Sequence, residues 1–187
     1  VQIDEEEKME FTYLKELLRN QNLWLISLII VCAYCGYKAL DNYGLYANQV
    51  LGMTEVDSSK FVTYMSYTRV AVAIFIGFLA DRVNTSKVLT ILFAVLTIFF
   101  FVLPLYNTSL LILILVNLVI TVLGIYGVRA IYFALIQESD IKNEHTGTAV
   151  GIISVVGYTP DIFFASITGR ILDSTNPQVA FERYFFF

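Results

Sequence analysis

Apolar residues gather in five long blocks, roughly Leu23–Val50, Phe61–Ala80, Val88–Leu105, Leu110–Ile136 and Thr146–Leu172, with short polar stretches between them. Each block reaches or nears the ~20 residues a helix needs to cross the hydrocarbon core of a bilayer. Period-two alternation is absent, which argues against a transmembrane β-barrel. Short loops with turn formers such as Gly52, Asp57 and Ser58 force sequential helices to run antiparallel. The pattern predicts an all-α membrane protein with five transmembrane helices across residues 22–172.

Two flanking segments read differently. In residues 1–21, Met9, Tyr13, Leu14, Leu17 and Leu18 recur at helical spacing between Lys15, Glu16 and Arg19. That suits a helix lying at the membrane surface, the alternative being a soluble partner-binding helix. Residues 173–187 read as a loop followed by the start of another span, from about Tyr184. The chain opens on Val1 and closes on Phe185, Phe186 and Phe187, so it is expected to be a piece of a longer protein. The acidic start (Asp4, Glu5, Glu6, Glu7) is not that of a signal peptide.

Composition agrees with the pattern. Of 187 residues 57% are hydrophobic and 15% charged, and mean hydropathy is +0.69, too apolar for a dispersed soluble domain. No basic stripe exists to serve nucleic acid, and a bilayer is the expected partner. Cys32 and Cys35 form a C-x-x-C inside the first block, where a thiol pair lacks solvent access and a lowered pKa, so we read them as small packing residues. His145 lies alone in a polar loop; no metal and no cofactor is expected.

Lys and Arg sort by side. Lys8, Lys15, Arg19, Arg82, Lys87 and Lys142 fall on the side of the N-terminus, against Lys60, Arg170 and Arg183 opposite. The imbalance places the N-terminus in the cytoplasm.

Charges inside the blocks carry the functional signal, because each costs a few kcal/mol at the bilayer centre unless paired or wet. The first block holds Lys38 and Asp41, the second Arg69, the fourth Arg129 and the fifth Asp161. Arg69 lies twelve residues before Asp81, about 18 Å deep, and Arg129 nine before Glu138, about 14 Å deep. Lys38 and Asp41 stand i,i+3 and either neutralise each other or serve a site. Arg129 and Asp161 either pair across helices or face a ligand. Arg69 has no acid one turn away on its own helix, so it needs a partner elsewhere, a wet cavity or a ligand. Tyr34 and Tyr126, one turn from Lys38 and Arg129, are expected beside them.

The third block carries no charge and reads as the peripheral helix. Gly157 and Pro160 should break the fifth helix, since proline frees a backbone carbonyl. Gly124 and Gly127 are expected to loosen the fourth, and Gly147 with Gly151 to pack closely against another helix. Interrupted helices at depth are where transporters place sites or gates. An embedded enzyme would need a nucleophile–base pair or metal cluster at depth, and the single histidine is in a loop. A receptor or assembly subunit would leave the deep arginines unexplained.

After the second block comes Gly77-Phe-Leu-Ala-Asp81-Arg82-Val-Asn84-Thr-Ser-Lys87. This resembles the major facilitator superfamily motif G-x-x-x-D-[RK]-x-G-x-[RK]-[RK]: Gly77, Asp81, Arg82 and Lys87 match, while Asn84 replaces the glycine and Ser86 a basic residue. The resemblance implies the C-terminal six-helix half-bundle of a carrier, helices 7 to 11, in a bacterial inner membrane. Helices 7 and 10 would line a central cavity, 8 and 11 flank it, and 9 lie outside. It also implies a six-helix N-terminal half as partner, a conformational role for the motif, and a small-molecule substrate moved by alternating access. Three deep cations against two deep acids favour an anionic substrate; the alternative is a proton-coupled symporter of a neutral solute, with Asp41 or Asp161 carrying the proton.

Overall fold

The structure is a computed structural model that describes residues 14–105, 110–173 and 176–187. Among the described residues, five helical paths are long and apolar enough to cross a membrane: Gln21–Gln49, Glu55–Val83, Thr85–Leu105, Leu111–Ile136 and Thr146–Leu172. They coincide with the five blocks. The second is longer than its apolar block because a polar first turn precedes it. Residues 14–19 are helical as well, whereas Met9 and Tyr13 of the expected surface helix lie outside the described residues.

The first path is α1 (Gln21–Ala39), a 3-10 turn (Leu40–Asn42) and α2 (Tyr43–Gln49). Asn20 caps α1 by accepting the Asn22 N–H at 2.8 Å. The turn falls on Asp41 and Asn42, residues whose side chains compete with the helical backbone. Helix α3 (Glu55–Val83) starts at Thr54, whose hydroxyl oxygen accepts the Asp57 N–H, with Glu55 and Asp57 in the favourable first turn. It stops at Asn84, which holds φ at 122°, a backbone conformation that favours glycine. That is the position where the superfamily motif has its glycine.

Helix α4 (Thr85–Val102) packs chiefly on α3 and on α5 (Leu111–Ile131), and leaves Ile91, Ile98 and Phe101 exposed. An edge position is not particular to this uncharged helix: Glu55–Val83, which carries Arg69, is less buried still. Helix α5 is the centre of the bundle, burying Ile114, Leu118, Val122, Ile125 and Val128. Here the structure corrects one expectation. Gly124 and Gly127 do not loosen α5, which runs unbroken to Ile131. They let it approach its neighbours: a Cβ on Gly124 would stand 2.8 Å from Leu96, and one on Gly127 3.2 Å from Ile76.

The fifth path breaks as expected, into α6 (Thr146–Gly157) and α7 (Pro160–Leu172). Proline at the first turn of α7 cannot donate, and the carbonyl of Val156, four residues back, takes the Thr159 N–H at 3.1 Å and its hydroxyl at 2.7 Å instead. Gly157 meets α1, where a Cβ would lie 2.5 Å from Ile30. Gly147 and Gly151 by contrast have open space around them among the described residues, so the close packing expected there is absent within this chain. Helix α8 (Pro177–Phe186) begins earlier than the expected Tyr184, because Asn176 caps it through the Gln178 and Val179 N–H groups.

Candidate functional site

Tyr34, Tyr37, Lys38 and Asp41 recur at i, i+3, i+4 and i+7, so α1 and its 3-10 extension present all four along one stripe. Opposite them stand Arg129 near the end of α5, Tyr132 in the 3-10 turn beyond it, Tyr158 at the break and Asp161 in the first turn of α7. Lys38 lies 2.7 Å from Asp41 and 3.5 Å from Asp161, one ammonium between two carboxylates. The Tyr34 hydroxyl donates to Asp161 at 2.8 Å. Its ring packs on Tyr158 with centroids 4.8 Å apart, and the Tyr158 and Tyr132 hydroxyls meet at 3.3 Å.

Arg129 does not pair with Asp161. Its guanidinium lies over the Tyr37 ring, 3.8 Å from the centroid, and 5.4 Å from that of Tyr34, a cation held by ring quadrupoles. Its Nη1 is buried and, among the described residues, has no hydrogen-bond acceptor. A buried charged donor left unsatisfied is costly.

Three of the five expected contact residues, Tyr34, Lys38 and Arg129, thus come together with Asp41 and Asp161. Tyr126 does not join them: it is buried in the apolar layer with Tyr43, Val122 and Leu118. Arg69 lies on α3 between Met65 and Val72, which pack toward the core, yet it is exposed and makes no ion pair among the described residues. Tyr37, Tyr132 and Tyr158 were not singled out from the sequence. Their spacing from Tyr34, Arg129 and Asp161 is the signal that would have found Tyr37 and Tyr132.

The motif region sits at the far end of α3. Asp81, Arg82 and Lys87 are exposed, and Arg82 lies 4.3 Å from the centre of the Phe78 ring rather than on Asp81. Gly77 has open space around it. Sequence reasoning missed Glu138. Its carboxylate accepts the Thr85 N–H, the Ser86 hydroxyl and, at 3.0 Å, the Ser86 N–H, and so closes the start of α4. The Ser86 hydroxyl first, and the two backbone donors after it, hold the Glu138 pKa below the usual glutamate range.

Five helical paths, each long and apolar enough to cross a bilayer, define a multi-pass membrane protein. The profile of the Major Facilitator Superfamily matches residues 2–165, and the chain belongs to that superfamily, a family of membrane transporters. Over 55 residues it is 40% identical to the inner membrane protein YihN of Escherichia coli (strain K12), a stretch that covers 29% of this chain and 13% of that protein. No solved structure matches.

Proposed function

We propose that this chain supplies five helices of a secondary active transporter that moves a small organic or inorganic anion by alternating access, paired with a six-helix N-terminal half. The observation that carries the reading is the Arg129 Nη1 donor, buried without an acceptor amid tyrosine rings and facing no carboxylate. An anion supplies the missing acceptor, and a guanidinium edge suits carboxylate or phosphate. Arg129, Lys38 and Tyr34 touch the substrate. Arg69 adds a second unpaired cation from α3, and Tyr126 backs α1 from the apolar layer. Asp81, Arg82 and Lys87, exposed and without an ion-pair partner in the described residues, are the contacts for the other half during the transport cycle.

One observation favours a second reading. Asp161 joins α7 to α1 through Lys38 and Tyr34, with its side chain 51% exposed, as a proton-carrying carboxylate in a symporter of a neutral solute would be. Counterflow in liposomes separates the two. With the full-length carrier, Arg129→Lys and Arg69→Lys keep the charge but lose the planar fork, and anion uptake falls by about 100-fold for Arg129. Uptake at the wild-type rate in both variants defeats the anion site, and uptake of a neutral solute driven by a pH gradient supports the symporter.

The relative's inner-membrane location and the Lys and Arg count support a bacterial inner membrane with the N-terminal side in the cytoplasm. With Cys32 and Cys35 replaced, Lys87→Cys stays unlabelled by an impermeant thiol reagent in intact cells. Labelling from outside reverses the orientation.

A further inference from the structure

The polar cluster has two ends with opposite requirements. At one, the Arg129 guanidinium lies by the Tyr34 and Tyr37 rings with its Nη1 buried and unpartnered among the described residues. At the other, Asp161 accepts one hydrogen bond from Tyr34, lies 3.5 Å from Lys38 and remains 51% exposed. A carboxylate offers about four lone-pair sites, so acceptor capacity is left over on the exposed side. Tyr34 spans both ends, with Arg129 over its ring and Asp161 at its hydroxyl. Both ends therefore border the one Tyr34 side chain, within reach of a single small solute. Tyr132 and Tyr158 share one hydrogen bond, which leaves one hydroxyl hydrogen free nearby.

Charge narrows the choice. The cluster holds two cations, Lys38 and Arg129, against two carboxylates, Asp41 and Asp161. A simple inorganic anion satisfies Arg129 but leaves the spare acceptor capacity of Asp161 unused. An ammonium on the solute would have to share Asp161 with Lys38, a like charge already in place. A hydroxyl meets neither obstacle: it is neutral, and a carboxylate is its strongest acceptor.

The geometry points to a hydroxylated organic monoanion as the substrate class, its carboxylate at Arg129, a hydroxyl donating to Asp161 and its carbon skeleton along the Tyr34 ring. This rests on the anion reading of Arg129 and refines it. The test is equilibrium binding to the purified full-length carrier, with gluconate, hexanoate and 6-aminohexanoate as six-carbon probes and nitrate as the inorganic one. Gluconate binds at least about tenfold more tightly than the other three, the difference that one hydrogen bond to a charged acceptor makes. Asp161→Ala brings gluconate to within about threefold of hexanoate, whereas Arg129→Gln weakens both acids alike. The wild-type comparison stands whether or not Asp161→Ala folds. If wild-type gluconate binds no better than hexanoate or nitrate while Arg129→Gln still weakens them, the hydroxyl requirement is overturned and the anion site survives. If 6-aminohexanoate binds best, the substrate is a zwitterion and the inference fails. Binding indifferent to Arg129 removes the anion site itself.

Discussion

Two tyrosine clusters lie a few turns apart along the first transmembrane path, and they are finished to different degrees. Around Tyr43 a chain of polar groups is matched: its hydroxyl meets Thr121 at 2.7 Å, Tyr184 donates to the Ala39 carbonyl at 3.0 Å, and Asn42 donates to Tyr184 at 3.1 Å. The rings of Tyr46, Phe181 and Phe185 seal this knot, and Tyr43 is 1% exposed. Around Tyr34 the same residue type borders two half-exposed carboxylates and a guanidinium with a donor to spare. In an apolar bundle a matched polar group stabilises the fold, and an unmatched buried one is costly. The knot holds helices together, whereas the open cluster is the substrate site proposed above.

The largest blow to both comes where they are joined to the fifth path. Gly157→Leu drives a side chain into Ile30 and costs about 1–3 kcal/mol, visible as a lower thermal midpoint in detergent and lost transport together. An unchanged midpoint would show that α1 and α6 are looser than their contact implies. Removing single hydroxyls then tells the clusters apart. Tyr34→Phe cuts transport about tenfold with the midpoint held, since it frees Asp161 without opening the core. Tyr43→Phe costs about 1 kcal/mol of stability and leaves transport alone. Reversal of that pattern would exchange the roles of the two clusters. The smallest effect lies outside the membrane. Because Glu138 is held below the usual glutamate range, its contribution is complete above that range and is lost as pH falls through the lowered value. Glu138→Gln therefore lowers stability at neutral pH and removes that part of the acid sensitivity. Equal wild-type and variant slopes across the acidic window would show the cap at α4 to be idle.

What the sequence revealed and what it hid follow one division. Span length, the bare third helix, the break at Gly157 and Pro160 and the motif after the second span are one-dimensional properties, and hydropathy and helix-breaking chemistry expose them directly. The partners of Lys38, Arg129 and Glu138 are not, because each choice depends on which helix lies across and at what depth. Lys38 and Asp41 were legible as an i,i+3 pair, but the shared bond to Asp161 was not. Glycines misled for the same reason. Gly124 and Gly127 signal flexibility in a string, and only the distance to Leu96 and Ile76 reveals them as the sites where three helices press together. Gly147 and Gly151 have the spacing of a packing motif and face open space in this chain.

The break in the fifth path carries a mechanical consequence. A proline kink usually leaves a carbonyl that some neighbour must satisfy, and that debt ties the bent helix to whatever satisfies it. Here Thr159 satisfies the Val156 carbonyl from the same strand of backbone, with both its N–H and its hydroxyl. The break therefore satisfies its own freed carbonyl and needs no backbone partner from a neighbouring helix. What ties the lower piece to the first path is instead a side chain: Asp161, one residue past the proline, reaches Tyr34 and Lys38.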